Sequence, residues 1–341
     1  MAETRVNRVK LLVTGGLGFI GSNFIRYMFK TNPETRITNI DNLSWGSNPG
    51  NLADFRRDPR YRFVKGDISN QKLVSKLIED VDVILNFAAE THVDRSIANP
   101  RPFVKSNIVG ASTVLEAARK KTLSPKIVHV SSDEVYGDIV EGSFRENDRL
   151  KPSSPYAATK AAADMLVLSY SRTYGLDAAV TRCTNNFGPW QHPEKLIPKT
   201  IIRAYLNLLV PVYGAGEQIR DWIYVQDHCD ALSRVIEKGK AGEIYNISGG
   251  NEKRNLEVVT SILDLMKKPR DLIRFVEDRP GHDVRYSLNS SKIDSDLDWR
   301  PSHIFSDALE ETVKWYIDNR SQWSKRASTK TLHPSPWKIK W

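Results

Sequence analysis

Cysteine is almost absent: Cys183 and Cys229 are the only two in 341 residues, and they lie far apart. That excludes a disulfide framework, and without a second pair it also excludes the cysteine spacing of a zinc site. Long apolar runs are missing too. A membrane span needs about 20 consecutive apolar residues. The nearest candidate, residues 81–89, is interrupted by Asp82 and Asn86. The first residues, Met-Ala-Glu-Thr-Arg-Val-Asn-Arg, lack the apolar core of a signal peptide. The expectation is a cytoplasmic protein with no membrane partner and no metal. Acid is absent from residues 324–341, where Lys325, Arg326, Lys330, Lys338 and Lys340 supply five of the net +9 charges. The body is therefore only mildly basic, which suits a phosphate-bearing ligand better than a nucleic-acid groove.

What the chain does have is concentrated in residues 129–160. The run His-Val-Ser-Ser-Asp-Glu-Val-Tyr-Gly begins as a buried strand, because Ile127, Val128 and Val130 are apolar and β-branched, and Gly137 ends it. After a polar loop, Tyr156-Ala-Ala-Thr-Lys160 opens a helix: Pro155 suits a first turn and residues 157–168 are rich in helix formers. Residues four apart share a helix face, so Tyr156 and Lys160 point the same way. A free tyrosine titrates near ~10. A nearby cation favours the phenolate and lowers that value. Tyr156 could then take a proton from an alcohol as hydride leaves its carbon. A chance helical Tyr and Lys would look the same. Ser132, Asp133 and Glu134 at the strand end and a glycine-rich turn upstream weigh against chance, although the Ser-Asp-Glu run alone could equally be a capping cluster.

That turn is Gly15-Gly-Leu-Gly18-Phe19-Ile20-Gly21, between an apolar strand at 9–14 and a helix at 22–29. Strand, glycine turn and helix are the context of a dinucleotide fingerprint. Gly15 permits the tight turn, Gly18 lets backbone approach a pyrophosphate and Gly21 allows close helix–strand packing. The helix N-terminus favours an anion. A second strand at 36–40 ends in Asp41. An acid there accepts ribose hydroxyls and repels a 2′-phosphate, so NAD rather than NADP is expected. A helix cap or turn residue is the plainer reading of the same aspartate.

Further strands at 61–64, 81–87, 126–132, 177–182 and 243–247 alternate with helices at 71–79, 102–120 and from 156. That alternation specifies an α/β fold, a doubly wound parallel Rossmann sheet with its ligand at the strand C-termini. Between 187 and 220, and again from 249, the rhythm breaks into loop and helix with scattered bases, which implies a smaller C-terminal substrate lobe. The expected division is 1–186 with 221–248 for the cofactor, 187–220 with 249–323 for the substrate, and 324–341 as a basic tail. The last core helix is expected at 305–317, with Phe305, Leu309, Val313 and Ile317 on one face. The tail is polar and aperiodic, and is expected to be dispensable unless Trp337, Ile339 and Trp341 dock.

Together these residues resemble the extended short-chain dehydrogenase/reductase superfamily over 9–323. A narrower resemblance, to the dTDP-glucose 4,6-dehydratases, is carried by Ser132-Asp133-Glu134-Val-Tyr-Gly, by Asn185-Asn186-Phe-Gly-Pro with Glu194-Lys195-Leu196-Ile-Pro, by Gln218-Ile-Arg220-Asp-Trp, by Asn251-Glu-Lys-Arg-Asn255 and by Arg279-Pro-Gly-His282. The chain departs from that pattern at Ser132, where threonine is usual, in the loop after Asp41, and beyond Ser324.

The resemblance implies a lyase that removes water from a dTDP-hexose in a redox-neutral, NAD-dependent cycle of deoxysugar (for example dTDP-rhamnose) formation. Tyr156, helped by Lys160 and Ser132, would deprotonate the 4-hydroxyl. Glu134 would take the hydrogen on carbon 5, and Asp133 would protonate the departing 6-hydroxyl. The resemblance places NAD on Gly15, Gly18, Phe19, Ile20, Gly21, Asp41, Asn42, Leu43, Ser44, Asp67, Ile68, Phe87, Ala88, Ala89, Thr91, Ser106, Tyr156, Lys160 and Asn186. It places substrate on Thr91, His92, Ser132, Asn185, Lys195, Leu196, Pro211, Tyr213, Arg220, Asn255, Arg279 and His282, with Lys195, Arg220 and Arg279 on the diphosphate. It also implies a homodimer in which helices 102–120 and 156–174 pair into a four-helix bundle through Val104, Ile108, Val114, Leu115, Met165 and Leu168. A UDP-sugar 4-epimerase or decarboxylase shares the Tyr–Lys pair but needs no donor for a 6-hydroxyl, so Asp133 argues against it. A UDP-sugar dehydratase stays open, because no motif reads the nucleotide base. A non-catalytic NAD- or RNA-binding module has only the basic tail in its favour.

Overall fold

The structure, a computed structural model, describes residues 9–340. Its strands are β1 (Lys10–Thr14), β2 (Arg36–Asp41), β3 (Tyr61–Lys65), β4 (Val83–Asn86), β5 (Lys126–Ser132), β6 (Ala178–Cys183), β7 (Asn185–Phe187), β8 (Val210–Tyr213), β9 (Ile219–Tyr224), β10 (Ile244–Ile247), β11 (Glu252–Arg254) and β12 (Ile273–Val276). Seven of them make one parallel sheet in the order β10-β6-β5-β4-β1-β2-β3. The order reverses between β1 and β4, and a sheet of this kind opens its ligand crevice at such a switch point. Both faces are covered, so its central strands are continuous apolar runs rather than alternating ones. Leu11 and Val13 face Phe24, Ile25 and Leu232 on one side; Leu12 faces Ile84, Ile127 and Val114 on the other.

The helix that carries Tyr156 runs Pro155–Tyr174. Ser154 caps it by accepting from the Ala157 N–H at 3.1 Å, Pro155 occupies its first turn, and Gly175 ends it at φ +69°. Beneath it, Arg182 on β6 is 2% exposed and bonds the Asp164 carboxylate at 2.9 Å and the Tyr136 hydroxyl at 2.7 Å. A buried ion pair holds only if its remaining donors are satisfied. Arg182 meets that condition by also donating to the Glu146 carbonyl.

Several expectations need correction. The helix expected at 102–120 is not regular: Val104–Gly110 forms a wider turn before the α-helix Ala111–Arg119. Val114 and Leu115 are each 1% exposed and belong to this chain's own core, so they cannot pair with a second copy. In the helix Phe305–Asp318 the buried face is Phe305, Leu309, Val313 and Tyr316, while Ile317 is exposed. A 3.6-residue period rotates the stripe onto position 316. Outside the seven-stranded sheet the chain is not only loop and helix. It holds a three-stranded sheet, β11-β9-β7, and the pair β12-β8. The strands β11 and β12 are only three and four residues long, too short for an apolar alternation to stand out in the sequence.

The tail is docked. Trp323, Thr331, Leu332 and Pro336 are buried, and Leu332 joins the second lobe's core with Phe305 and Val313. Isolated anchors of this kind leave no period to read. Trp341 lies outside the described residues.

Candidate active site

The C-terminal ends of five parallel strands open on one cavity of about 300 Å³, where Ile40, Gly66, Phe87, Ser131 and Cys183 stand in its wall. The glycine turn forms its floor. Gly15, at φ +70°, lies so close to β4's end that an added Cβ would sit 2.8 Å from Ala88 backbone. A Cβ on Gly21 would sit 2.7 Å from the Gly15 carbonyl, which is the close helix–strand packing expected of the third glycine. Around Gly18 the nearest atom is the Gly15 carbonyl, at 3.2 Å, and that face is otherwise open to the cavity. Asp41, 4% exposed, ends β2 at the cavity edge. Its carboxylate accepts from the N–H groups of Leu17 (3.1 Å) and Leu43 (2.8 Å) and from the Ser47 hydroxyl (2.6 Å). The plain reading of Asp41 as a turn residue therefore holds, and it remains an acid at a strand end facing the cavity. Burial pushes its carboxyl up and these bonds pull it back. Backbone without side chains, an acid at the end of β2 and the orphaned Thr184 hydroxyl at the wall fit a dinucleotide with free ribose hydroxyls.

Most of the residues expected around the cofactor line this cavity: Gly15, Gly18, Phe19, Ile20, Gly21, Asp41, Asn42, Ser44, Ile68, Phe87, Ala88, Ala89, Thr91, Ser106, Tyr156, Lys160 and Asn186. Leu43 and Asp67 do not. Leu43 turns outward at φ +61°, and Asp67 bonds the Ser69 N–H and pairs with Lys105. Of the expected substrate residues, Thr91, Ser132, Asn185, Lys195 and Leu196 share the wall. Of the others, Tyr213, Arg279 and His282 form a second cluster around Asp94 and Asp278. Tyr213, on β8 beside Pro211, donates to Asp94 at 3.3 Å, and Arg279 donates to the same carboxylate at 3.2 Å. His282 lies 6.2 Å from the Tyr213 ring and bonds Asp278. Arg220 spans to the Asp283 carbonyl and stacks on Tyr286 at 4.2 Å. Asn255 opens the helix that follows β11, and His92 lies 3.8 Å from Glu194.

Sequence reading gives no role to Asp94, nor to Glu194, which it quotes only within a motif. Glu194 is 6% exposed and accepts from the Trp45 indole at 2.8 Å. The signal was present, since both are acids beside residues already singled out. Cys183, Thr184, Gln191 and His192 also line the cavity without having been expected there.

The charged groups are arranged unequally. Ser132 ends β5, and a single turn, Asp133–Val135, follows. The Ser132 hydroxyl donates to Asp133 Oδ1 at 3.1 Å and accepts from the Glu134 N–H at 3.3 Å. Asp133 is 3% exposed, and its Oδ2 is buried without a partner. Burial, then the charge of Glu134, holds its carboxyl well above the carboxylate range. Burial raises Glu134 as well, but Arg279, Lys195 and Arg220 pull it back. Tyr156 differs from expectation. Burial, then Glu134, pushes its hydroxyl well above the ordinary value, while a hydrogen bond with Ser132 lowers it. Lys160 is 3% exposed and donates to the Val130 carbonyl at 2.6 Å. Burial lowers the Lys160 ammonium, and Asp164 one turn later partly restores it. The shared helix face of Tyr156 and Lys160 does not by itself create a phenolate, because burial is the largest influence on the Tyr156 hydroxyl.

The described family whose model matches residues 12–312 is GDP-mannose 4,6 dehydratase. The chain is similar to dTDP-glucose 4,6-dehydratase of Actinoplanes sp., 48% identical over 321 residues that cover 93% of this chain and all of that one. Among solved structures it is similar to DesIV, a dTDP-glucose 4,6-dehydratase from Streptomyces venezuelae with NAD bound, at TM-score 0.91 and 45% identity over 93% of this chain and 100% of that one. It is also similar to UDP-glucuronic acid 4-epimerase from Bacillus cereus, at TM-score 0.85 and 28% identity over 91% and 99%. No helix among the described residues is long and apolar enough to cross a membrane.

The raised Asp133 carboxyl has a consequence for stability. Its folded-state pKa lies above the unfolded value, so the folded chain holds the proton more tightly. The cost of ionising it in place is absent below the ordinary carboxylate range and grows as pH rises. Asp133→Asn is expected to stabilise the fold near about pH 8, and by less near about pH 5. Thermal unfolding that gives the variant an equal or lower Tm at the higher pH would contradict this.

Proposed function

This chain belongs to the family described as GDP-mannose 4,6 dehydratase, and we propose that within it the protein is a dTDP-glucose 4,6-dehydratase, a lyase that converts dTDP-glucose to dTDP-4-dehydro-6-deoxyglucose and water. The observation that carries this reading is the pair Asp133 and Glu134. Asp133 has a buried oxygen without a partner, and burial and Glu134 raise its carboxyl well above the carboxylate range, while Glu134, also raised by burial, is pulled back by three cations. Adjacent titratable groups pushed apart in this way are an acid and a base. A 4-epimerase requires no such donor. The greater identity to dTDP-glucose dehydratases than to an epimerase supports the same reading.

The residues divide the work as follows. When bound along the glycine turn and Asp41, NAD would supply the hydride acceptor for carbon 4 and the hydride that carbon 6 later receives, and its oxidised ring would add positive charge to the pocket. Tyr156, hydrogen-bonded to Ser132, takes the proton of the 4-hydroxyl as carbon 4 becomes a ketone. Lys160 sits one turn further along the same buried helix face. The ketone acidifies the hydrogen on carbon 5, and Glu134 removes it. Asp133 gives its proton to the 6-hydroxyl, the carbon–oxygen bond breaks and water leaves. Glu134 then returns its proton to carbon 5, and Tyr156 returns its proton to Asp133 through Ser132. Arg220, Arg279 and Lys195 hold the diphosphate. In this reading residues 1–186 with 221–248 bind NAD, and 187–220 with 249–323 bind the sugar nucleotide. The activity belongs to cytoplasmic deoxysugar formation, such as that of dTDP-rhamnose.

We further propose a homodimer. Val104, Val109 and Met165 stand exposed on the two helical segments, with Ile108 and Leu168 half-buried beside them. An apolar face of this kind on a helix pair suits a self-complementary two-fold contact.

Two outcomes follow. Glu134→Gln is expected to abolish both water loss and exchange of the carbon-5 hydrogen with solvent. Asp133→Asn is expected to slow water loss by roughly 10²–10⁴-fold, the range of a general acid, while oxidation at carbon 4 continues and bound NADH accumulates. Equal loss of carbon-4 oxidation in both variants would show that the two carboxyls only position substrate. In sedimentation at micromolar concentration the protein is expected at twice the 38.7 kDa chain mass; a single species of one chain mass would remove the dimer.

A further inference from the structure

The segment after Trp323 takes no part in the steps above, yet it is tied down at both ends of the site. At one end Arg326 donates to the carbonyls of Trp45 (2.6 Å) and Ser47 (2.5 Å). Those residues sit in the loop whose Ser47 hydroxyl binds Asp41. In the middle, the Leu332 carbonyl accepts from Arg203 at 2.7 Å and the His333 carbonyl from Lys199 at 3.3 Å, both on the helix Leu196–Tyr205 that follows Lys195. At the other end the single turn Pro336–Lys338 lies against the helix Val93–Ala98, and Lys338 pairs with Glu277 just after β12. This turn delivers Trp337 edge-on to Tyr213, with ring centroids 4.9 Å apart and planes at 86°.

Tyr213 is joined to Arg279 through a shared acceptor, Asp94. Trp337 therefore buttresses a cluster that contains two of the proposed substrate contacts. Trp337 itself is carried by the tail, whereas Asp133, Glu134 and Tyr156 are carried by the end of β5 and the helix Pro155–Tyr174. Edge-to-face aromatic pairs fix ring orientation beyond what area burial alone does, and a pre-ordered contact loses less entropy when ligand binds. We propose that Trp337 is a positioning residue for the nucleotide end of the substrate: by bracing Tyr213, and through Asp94 Arg279, the docked tail sets affinity for the nucleoside diphosphate rather than the rate of the chemical steps. The inference rests on the dTDP-sugar reading of the site.

The test uses the full-length protein with dTDP as the binding probe. Trp337→Ala is expected to weaken dTDP binding in calorimetry by about tenfold and to raise KM for dTDP-glucose to match, with kcat within about twofold. Trp337→Phe keeps an aromatic edge and should recover most of the affinity. Lys338→Glu, which sets an acid against Glu277 and loosens the turn while leaving the indole, should weaken dTDP binding in the same direction. Unchanged dTDP affinity in Trp337→Ala, whether its Tm falls or its kcat does, overturns the inference and leaves the tail a structural strap. Wild-type protein that binds dTDP but does not turn over dTDP-glucose counts against the dehydratase reading alone. Wild-type protein that neither binds dTDP nor turns over dTDP-glucose removes both.

Discussion

Two carboxyl groups on consecutive residues cannot both ionise cheaply in a pocket that excludes water, because each loses hydration and each repels the other. Asp133 and Glu134 are held under that constraint at the end of a central strand. Their asymmetry comes from what surrounds them. Glu134 faces the positive side chains of Arg279, Lys195 and Arg220, whereas Asp133 has the Ser132 hydroxyl and the distant Arg220. The cations come from the second lobe and the base–acid pair from the sheet. The chemistry therefore requires both lobes, although the carboxyls are neighbours in sequence. Coupled groups of this kind titrate as a pair, so an apparent pKa read from activity belongs to both.

The scaffold supplies the rigidity that this arrangement demands. The parallel sheet sets β5 between β4 and β6, which buries the strand end on both sides. The Arg182–Asp164 pair is itself fully buried beneath Lys160 and braces the helix on which Tyr156 and Lys160 stand. Asn107 ties that helix to the strand-end segment at Glu90, donating to the Glu90 carbonyl and the Thr159 hydroxyl. Each such group is costly if left unpaired and specific once paired, which keeps the site from relaxing toward a wetter, more evenly charged state.

Much of this was legible in the sequence, for reasons that differ by element. The glycine turn, Asp41 and the strand end at Ser132 are local features, where residue type at fixed spacing determines backbone geometry, and they landed on one cavity as expected. For Tyr156, spacing reports a shared helix face with Lys160 and says nothing of the dehydration that raises its hydroxyl. Asp94 and Glu194 escaped because their importance lies in partners far along the chain, Arg279 and Tyr213 for one and Trp45 for the other. Leu43 was placed in the cofactor set but turns outward, since a positive φ at that one residue reverses its side chain. The tail has no period in its sequence, and its anchors at Leu332, Pro336 and Trp337 are single residues that no period could reveal.

The central claim is that one proton donor and one proton acceptor, side by side, drive an elimination within a redox-neutral cycle. The most direct measurement follows deuterium placed at carbon 4 of dTDP-glucose, with the reaction run in ordinary water and the product examined by mass and magnetic resonance. The account predicts a product lighter by one water, with the deuterium at carbon 6. Deuterium released to solvent, or a product of unchanged composition inverted at carbon 4, would contradict it.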